Sequence, residues 1–214
     1  VGMRYILSDL NYRFEDDVEV GQAFAADIAF FYSNYIFLGR RECMLNFGLN
    51  ASNIGSKISF DGGNTNQFIP TNLRLGASIM IPVDAYNTFS ISADVNKLMV
   101  PTKPTYNQFL NTDYAKQHDC DPNDTEYSYA SVYESYLQEI GYNDMSPITG
   151  IFKSFADAPG GFKEEMQEIY WGVGVEYAYN NQFFLRGGYH YENEYKGNRK
   201  YFTLGTGFKM SVFS

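Results

Sequence analysis

The residues whose spacing could support chemistry lie in one acidic stretch near the middle of the chain. Asp119, Asp121 and Asn123 have the first three ligand spacings of a calcium-binding loop. The pattern then fails, because Asp124 stands where such a loop needs glycine and Ala130 stands where it needs a bidentate glutamate. A solvated acidic loop is the better interpretation, and we expect no metal or cofactor.

Catalytic motifs are also missing from the sequence. It contains neither a G-x-S-x-G elbow nor a phosphate-binding loop nor a G-x-G-x-x-G turn. The two histidines are His118, beside the acidic stretch, and His190, which the strand pattern places on a polar face between Arg186 and Glu192. A hydrogen-bonding role suits His190 better than catalysis, so we expect no enzyme.

Composition excludes further classes of protein. The 214 residues include 38 aromatic side chains, and the formal net charge of -9 would repel a phosphate backbone, so nucleic acid is not expected as a partner. No apolar run approaches the ~18 residues of a transmembrane helix. The first residues show no signal-peptide pattern and already belong to a predicted strand, so we expect the chain to be an interior segment of a longer protein. Cys43 and Cys120 are too few for a disulfide framework, and two free thiols are expected.

Strict alternation of apolar and polar residues is the dominant pattern in the elements that must position these side chains. In residues 73–83, for example, Leu75, Ile79 and Ile81 alternate with Arg74 and Ser78. The same period of two predicts eight strands, over residues 1–10, 24–38, 43–52, 73–83, 89–95, 171–179, 183–191 and 202–212.

The connections between these strands alternate between long and short. Links after the first, third, fifth and seventh strands are long, at about residues 11–22, 53–69, 101–169 and 193–199, and the others are tight turns. This pattern is typical of an outer-membrane β-barrel with long extracellular loops, and we expect residues 1–214 to form a single incomplete barrel domain. A soluble antiparallel barrel or sandwich is the alternative.

The polar face carries isolated charges of both signs, as expected for a crowded barrel interior rather than a soluble exterior. We predict that they form a structural charge network in the lumen, made up of Arg4, Asp27, Arg74, Asp94, Glu176, Arg186 and Lys209.

Residues 101–169 interrupt the strand rhythm and are predicted to be an extracellular loop insertion with two amphipathic helices. The first runs from Tyr129 to Ile140 and ends at Gly141; the second begins at Ser146 and includes Phe155. Either the helices pack on each other or plug the barrel mouth, or some of their apolar surface binds another protein.

Four stretches resemble one known family. They cover residues 23–63, 68–84, 93–102 and 150–171, and include the strings IPTNLRLGAS, ADVNKL and DAPGGFKEE. On these strings the chain resembles the PorV family, FadL-like outer-membrane barrels of the Bacteroidetes type IX secretion system. The family barrel has fourteen strands, so the resemblance implies that strands outside this sequence complete it.

The resemblance implies a non-enzymatic role in protein secretion. Such a protein associates with the type IX translocon channel, receives the C-terminal signal domain of secreted cargo and carries it to the cell-surface attachment machinery, surrounded by outer-membrane lipid. From the residues of the insertion, we predict that translocon or cargo binds Ile148, Ile151, Phe152, Phe155 and Phe162.

Two alternatives remain at this stage. A FadL-like channel for small hydrophobic ligands would need an apolar path, and the predicted inward charges count against it. An outer-membrane enzyme acting on lipopolysaccharide would need a nucleophile and base on neighbouring strands, for which only His190 is a candidate.

Overall fold

The computed structural model describes residues 1–9, 19–60, 66–121, 129–158 and 161–210, which form one antiparallel sheet with short helices at one edge. Eight strands within these ranges lie side by side in chain order, and this confirms the predicted meander. They are β1 (Gly2–Ser8), β2 (Gly21–Leu38), β3 (Arg41–Gly55), β4 (Asn72–Pro82), β5 (Asn87–Leu98), β6 (Ile169–Tyr179), β7 (Phe183–Tyr191) and β8 (Lys200–Phe208).

The alternation of the sequence gives the sheet one apolar face and one polar face. Leu75 lies opposite Val95, and Val95 lies opposite Trp171, on the apolar face. Asp94, one residue earlier on β5, lies opposite Gly76 on the polar face. Many large side chains of the apolar face remain exposed, Leu75 and Val95 among them. An apolar surface of this extent requires a partner or an apolar environment.

Long and short connections lie at opposite ends of the strands. We call these two ends of the sheet its edges. At the turn edge, short turns join β2 to β3, β4 to β5 and β6 to β7. In the three-residue link between β6 and β7, Asn180 and Asn181 have φ of 52° and 51°, a left-handed conformation that asparagine tolerates in turns. The links after β1, β3, β5 and β7 lie at the other edge, which we call the loop edge.

The predicted last strand was too long, because β8 ends at Phe208 and Met210 lies beyond it. Val212 lies outside the described residues.

The described helices all lie between β5 and β6. They are α1 (Tyr106–Leu110), α2 (Asp113–Gln117), α3 (Ala130–Glu139), α4 (Pro147–Lys153) and α5 (Phe162–Gln167). The two predicted helices are confirmed as α3 and α4, although α4 ends before Phe155. No helix in these described ranges has the length and apolar character needed to cross a membrane.

Helices α1, α2 and α3 form a small hydrophobic core of their own. Phe109 is fully buried, and its ring centroid lies 5.3 Å from that of Tyr133 and 5.4 Å from that of Tyr136. The three helices pack on one another rather than on a strand of the described sheet. This group, which we call the three-helix module, therefore has its own packing at the loop edge.

Candidate functional site

Six of the seven charged residues predicted on the polar face form cross-strand ion pairs. Arg4 pairs with Asp27; Arg74 Nη2 lies 3.0 Å from Asp94 Oδ2; and Arg186 Nε lies 2.5 Å from Glu176 Oε2. Lys209 follows the end of β8, where its backbone amide donates to the carbonyl of Gln182. The pairs arise because residues opposite or diagonal to one another on neighbouring strands bring their side chains together.

His190 and His118 are both engaged by neighbouring residues. The His190 ring stacks on Tyr201 with centroids 4.9 Å apart, and its Nε2 lies 3.4 Å from Glu192 Oε1. His118 stacks on Tyr114 at 4.4 Å. These contacts hold both rings in place within the fold.

The acidic stretch is only partly within the described residues. Asp119 and Asp121 are described, whereas Asn123 and Asp124 lie outside the described ranges. Within the part of the chain that the structure describes, no group of three His, Cys, Asp or Glu side chains is placed to hold a metal. Cys43 and Cys120 are buried free thiols.

The five residues predicted to bind a partner lie on α4, α5 and the segment between them. Ile148 is 64% exposed, Phe152 73%, Phe155 48% and Phe162 81%, while Ile151 is half-buried. None of the five is among the buried core residues of the described part of the chain. We call these five residues the docking surface.

Local sequence explains why α4 presents its apolar residues to solvent. Ser146 caps the helix by accepting a hydrogen bond from the Thr149 amide, and Pro147 suits the first helical position. Gly150 lies so close to the connections after β3 and β5 that an added Cβ would lie 2.8 Å from Cε1 of Phe68 and 3.1 Å from Cδ of Pro101. One side of α4 is therefore closed by close packing, and Phe152 remains on the open side.

Helix α5 is fixed to the loop edge by a buried ionic contact. Lys97 Nζ, near the end of β5, donates to Glu165 Oε2 at 2.8 Å and to Glu168 Oε2 at 2.6 Å. Glu165 Oε1 accepts from the amides of Asp157 and Ala158 at 2.9 and 2.8 Å. Burial alone would raise the pKa of Glu165, but the hydrogen bond from Lys97 and those from the two amides hold it below its usual value.

The connection between β7 and β8 adds a second contact to α5. Lys196 Nζ donates to Glu164 at 3.1 Å and to Glu168 at 3.0 Å. At the start of the same connection, the buried Glu192 accepts from Arg199 Nε at 2.7 Å. The Arg199 guanidinium lowers the pKa of Glu192. Strand β5 and the connection between β7 and β8 therefore both contact α5.

Sequence reasoning missed these ionic residues. Lys97 occupies a position of β5 where the alternation of the apolar face calls for an apolar side chain, since it lies between Leu73 and Ile169 in register. A lysine at such a position indicates a buried ion pair, because a buried charge requires a partner. The identity of that partner was not readable, since Glu165 and Glu168 lie about seventy residues further along the chain.

Part of the chain matches the model of a known protein family. The family model of the type IX secretion system protein PorV matches residues 1–105, a span that includes β1 to β5 and ends before α1. The chain matches none of the curated proteins.

Proposed function

The chain belongs to the PorV family of type IX secretion system proteins, and we propose that it is an outer-membrane component of this system. It binds the C-terminal signal domain of cargo at the translocon channel and passes this domain to the surface attachment complex. In this role the protein performs no catalysis. It acts as a docking and transfer partner.

The sheet supports a place in the outer membrane. We propose that it is part of a FadL-like barrel of about fourteen strands, with the apolar face toward lipid and the polar face toward the interior. An apolar face that remains exposed across eight strands, with ion pairs on the opposite face, suits a wall between lipid and a polar interior. The loop edge, including residues 101–169, would then be extracellular.

The observation that carries the docking role is the exposure of the docking surface on helices fixed at the loop edge. Phe152 and Phe162 expose most of their area, although burying such a side chain would contribute roughly 1.5–3 kcal/mol. Their burial against a partner recovers this free energy. Aromatic anchors of this kind commonly dominate the affinity of protein interfaces.

The test replaces the five residues of the docking surface with serine in the full-length native protein. We expect recovery of the type IX channel and of cargo signal domains in mild-detergent purification to fall at least tenfold, and secretion to fall with it. Barrel assembly should be unchanged, because three of the five side chains are largely exposed and Phe155 is about half exposed. Unchanged recovery and secretion would refute the docking role.

A matched control lies at the opposite edge of the sheet. Val83 and Tyr86 are exposed apolar residues of the turn between β4 and β5. Their replacement with serine should leave channel recovery and secretion unchanged. This control shows whether an effect comes from the docking surface itself or from any loss of exposed apolar area.

The FadL-like ligand channel receives less support. Passage of a small hydrophobic ligand would bring it past Arg74, Asp94, Glu176 and Arg186 on the polar face. Charged pairs of this kind disfavour an apolar solute. Detergent or lipid bound along the polar face of the purified protein would favour the channel instead.

A further inference from the structure

We propose that Lys97 is a positioning residue for the docking surface: it holds α5 at the loop edge, and Glu165 extends this hold to the segment that leads back to α4. The inference rests on the proposed function, because it specifies how the surface for the secretion partner is kept in place.

Lys97 is an unusual residue for its position. It shares the apolar face of β5 with Val95, and its side chain is only 10% exposed. The side chains of its partners Glu165 and Glu168 are 9% and 16% exposed. An ammonium group buried to this extent requires both carboxylates, and the carboxylates in turn require the ammonium.

Glu165 connects the two helices of the docking surface. One carboxylate oxygen accepts from Lys97, and the other accepts from the amides of Asp157 and Ala158, in the segment after α4. Asp157 in turn accepts from the backbone amide of Thr102 at 2.7 Å. The Glu165 carboxylate therefore joins α5 to Lys97 and to the segment after α4, and the Asp157 carboxylate joins that segment to the chain leaving β5.

Glu168 and Lys196 brace the same helix from the other side. Glu168 bridges Lys97 and Lys196, with distances of 2.6 and 3.0 Å. The Lys196 side chain is 27% exposed, compared with 10% for Lys97, so solvent screens its pairs more. Lys97 is therefore the principal contact and Lys196 the auxiliary one.

This arrangement determines geometry more than net stability. Buried ion pairs often contribute little stability relative to apolar side chains, because desolvation of the charges offsets their attraction. Their directional hydrogen bonds nevertheless allow few orientations of α5. A helix of six residues has little intrinsic stability, so its position depends on such contacts.

The test compares Lys97→Met with Lys97→Arg in the full-length native protein. Hydrogen exchange of residues 147–167 and recovery of the type IX channel are measured in each variant. We expect Lys97→Met to raise exchange in this segment at least tenfold and to lower channel recovery about tenfold, with exchange in β2 to β4 unchanged. In Lys97→Arg, which keeps the positive charge, hydrogen exchange and channel recovery should both match those of the unmodified protein. If Lys97→Met does not assemble, the isosteric Glu165→Gln provides the same readouts with the same expected direction.

Lys116→Met is the matched control, since Lys116 forms an exposed pair with Asp113 on α2. It should change neither readout. Unchanged exchange in Lys97→Met would overturn the inference, and so would raised exchange with full channel recovery. Phe152→Ser distinguishes the two proposals: if it lowers recovery while Lys97→Met does not, only the positioning role fails. If neither lowers recovery, the proposed function fails.

Discussion

Individual charged residues occupy two contrasting environments in this sheet. Arg186 and Arg74 form pairs on the polar face with side chains more than half exposed, and Lys97 forms its pairs almost out of contact with solvent. Exposed pairs contribute about 0–1 kcal/mol, whereas breaking a buried pair leaves an uncompensated charge. Residue types alone therefore do not reveal which pair matters most.

This contrast predicts different costs for two similar substitutions. Lys97→Met should lower the free energy of unfolding by about 3–5 kcal/mol, and Arg186→Met by about 1 kcal/mol or less. Denaturant titration can follow both through the fluorescence of Trp171, the single tryptophan of the sequence. An equal loss of unfolding free energy in the two variants would contradict the assignment of the larger effect to the buried pair.

Acidification should loosen α5 through Glu165. Its pKa lies below the usual 4.5 in the folded protein, despite burial, because Lys97 and two amides favour the carboxylate. The stabilisation is therefore present above about pH 4.5 and is lost as pH falls through the lowered pKa. Asp157 acts in the opposite sense, since burial raises its pKa.

Hydrogen exchange of residues 162–167 measured from pH 7 to pH 3, corrected for intrinsic rates, checks this dependence. In Glu165→Gln the acid-dependent part should shrink. An undiminished acid response in that variant would assign the effect to other groups near α5, namely Glu164, Glu168 and Asp157.

At the scale of elements, the sequence predicted the longer structures and missed the shortest. Apolar periodicity identified α3, and the cap at Ser146 identified α4. Helices α1, α2 and α5 have five or six residues, too few for a period of 3.6 to be visible. Local signals existed for two of them, since Thr105 with Gln108 forms a capping box and Thr112 caps α2. Helix α5 has no side-chain cap, and its ionic contacts are long-range.

The close approach of α4 to the loop edge predicts a specific sensitivity to added volume. Gly150→Ala should displace α4, because the new Cβ would press on Phe68 and Pro101. The overpacking cost of about 1–3 kcal/mol exceeds the gain of about 1 kcal/mol in helix propensity. Faster hydrogen exchange in residues 147–153 is the expected result.

Gly48→Ala is the control, since nothing lies within 4 Å of an added Cβ there. Exchange in residues 147–153 should match that of the unmodified protein. If Gly150→Ala also leaves it unchanged, then α4 is not held by this packing.

At the scale of the whole molecule, the alternation of link lengths predicted the arrangement well. Turn chemistry and strand periodicity are local properties, so eight strands and their order were readable. The division of residues 101–169 into a three-helix module and a separate pair of helices was not, because it depends on which apolar faces meet. Tyr133 and Tyr136 pack on Phe109, whereas Phe152 is 73% exposed.

This division predicts that the three-helix module is dispensable for the sheet. Replacing residues 106–139 with a short Gly-Ser linker should leave β-sheet content by circular dichroism and detergent-resistant folding by electrophoresis unchanged, since the module packs on itself. The comparison variant removes residues 147–168 and so leaves Lys97 without Glu165 and Glu168, and it should therefore be less stable. Equal stability of the two deletions would contradict this division.

Photo-crosslinking in cells tests the central claim most directly. A photoreactive amino acid replaces Phe152 or Phe162 on the docking surface, and Tyr86 at the turn edge as the matched control. The account predicts crosslinks from Phe152 and Phe162 to the type IX channel or to a cargo signal domain, and none from Tyr86. Crosslinks from Phe152 and Phe162 to lipid alone, in cells that secrete normally, would contradict it.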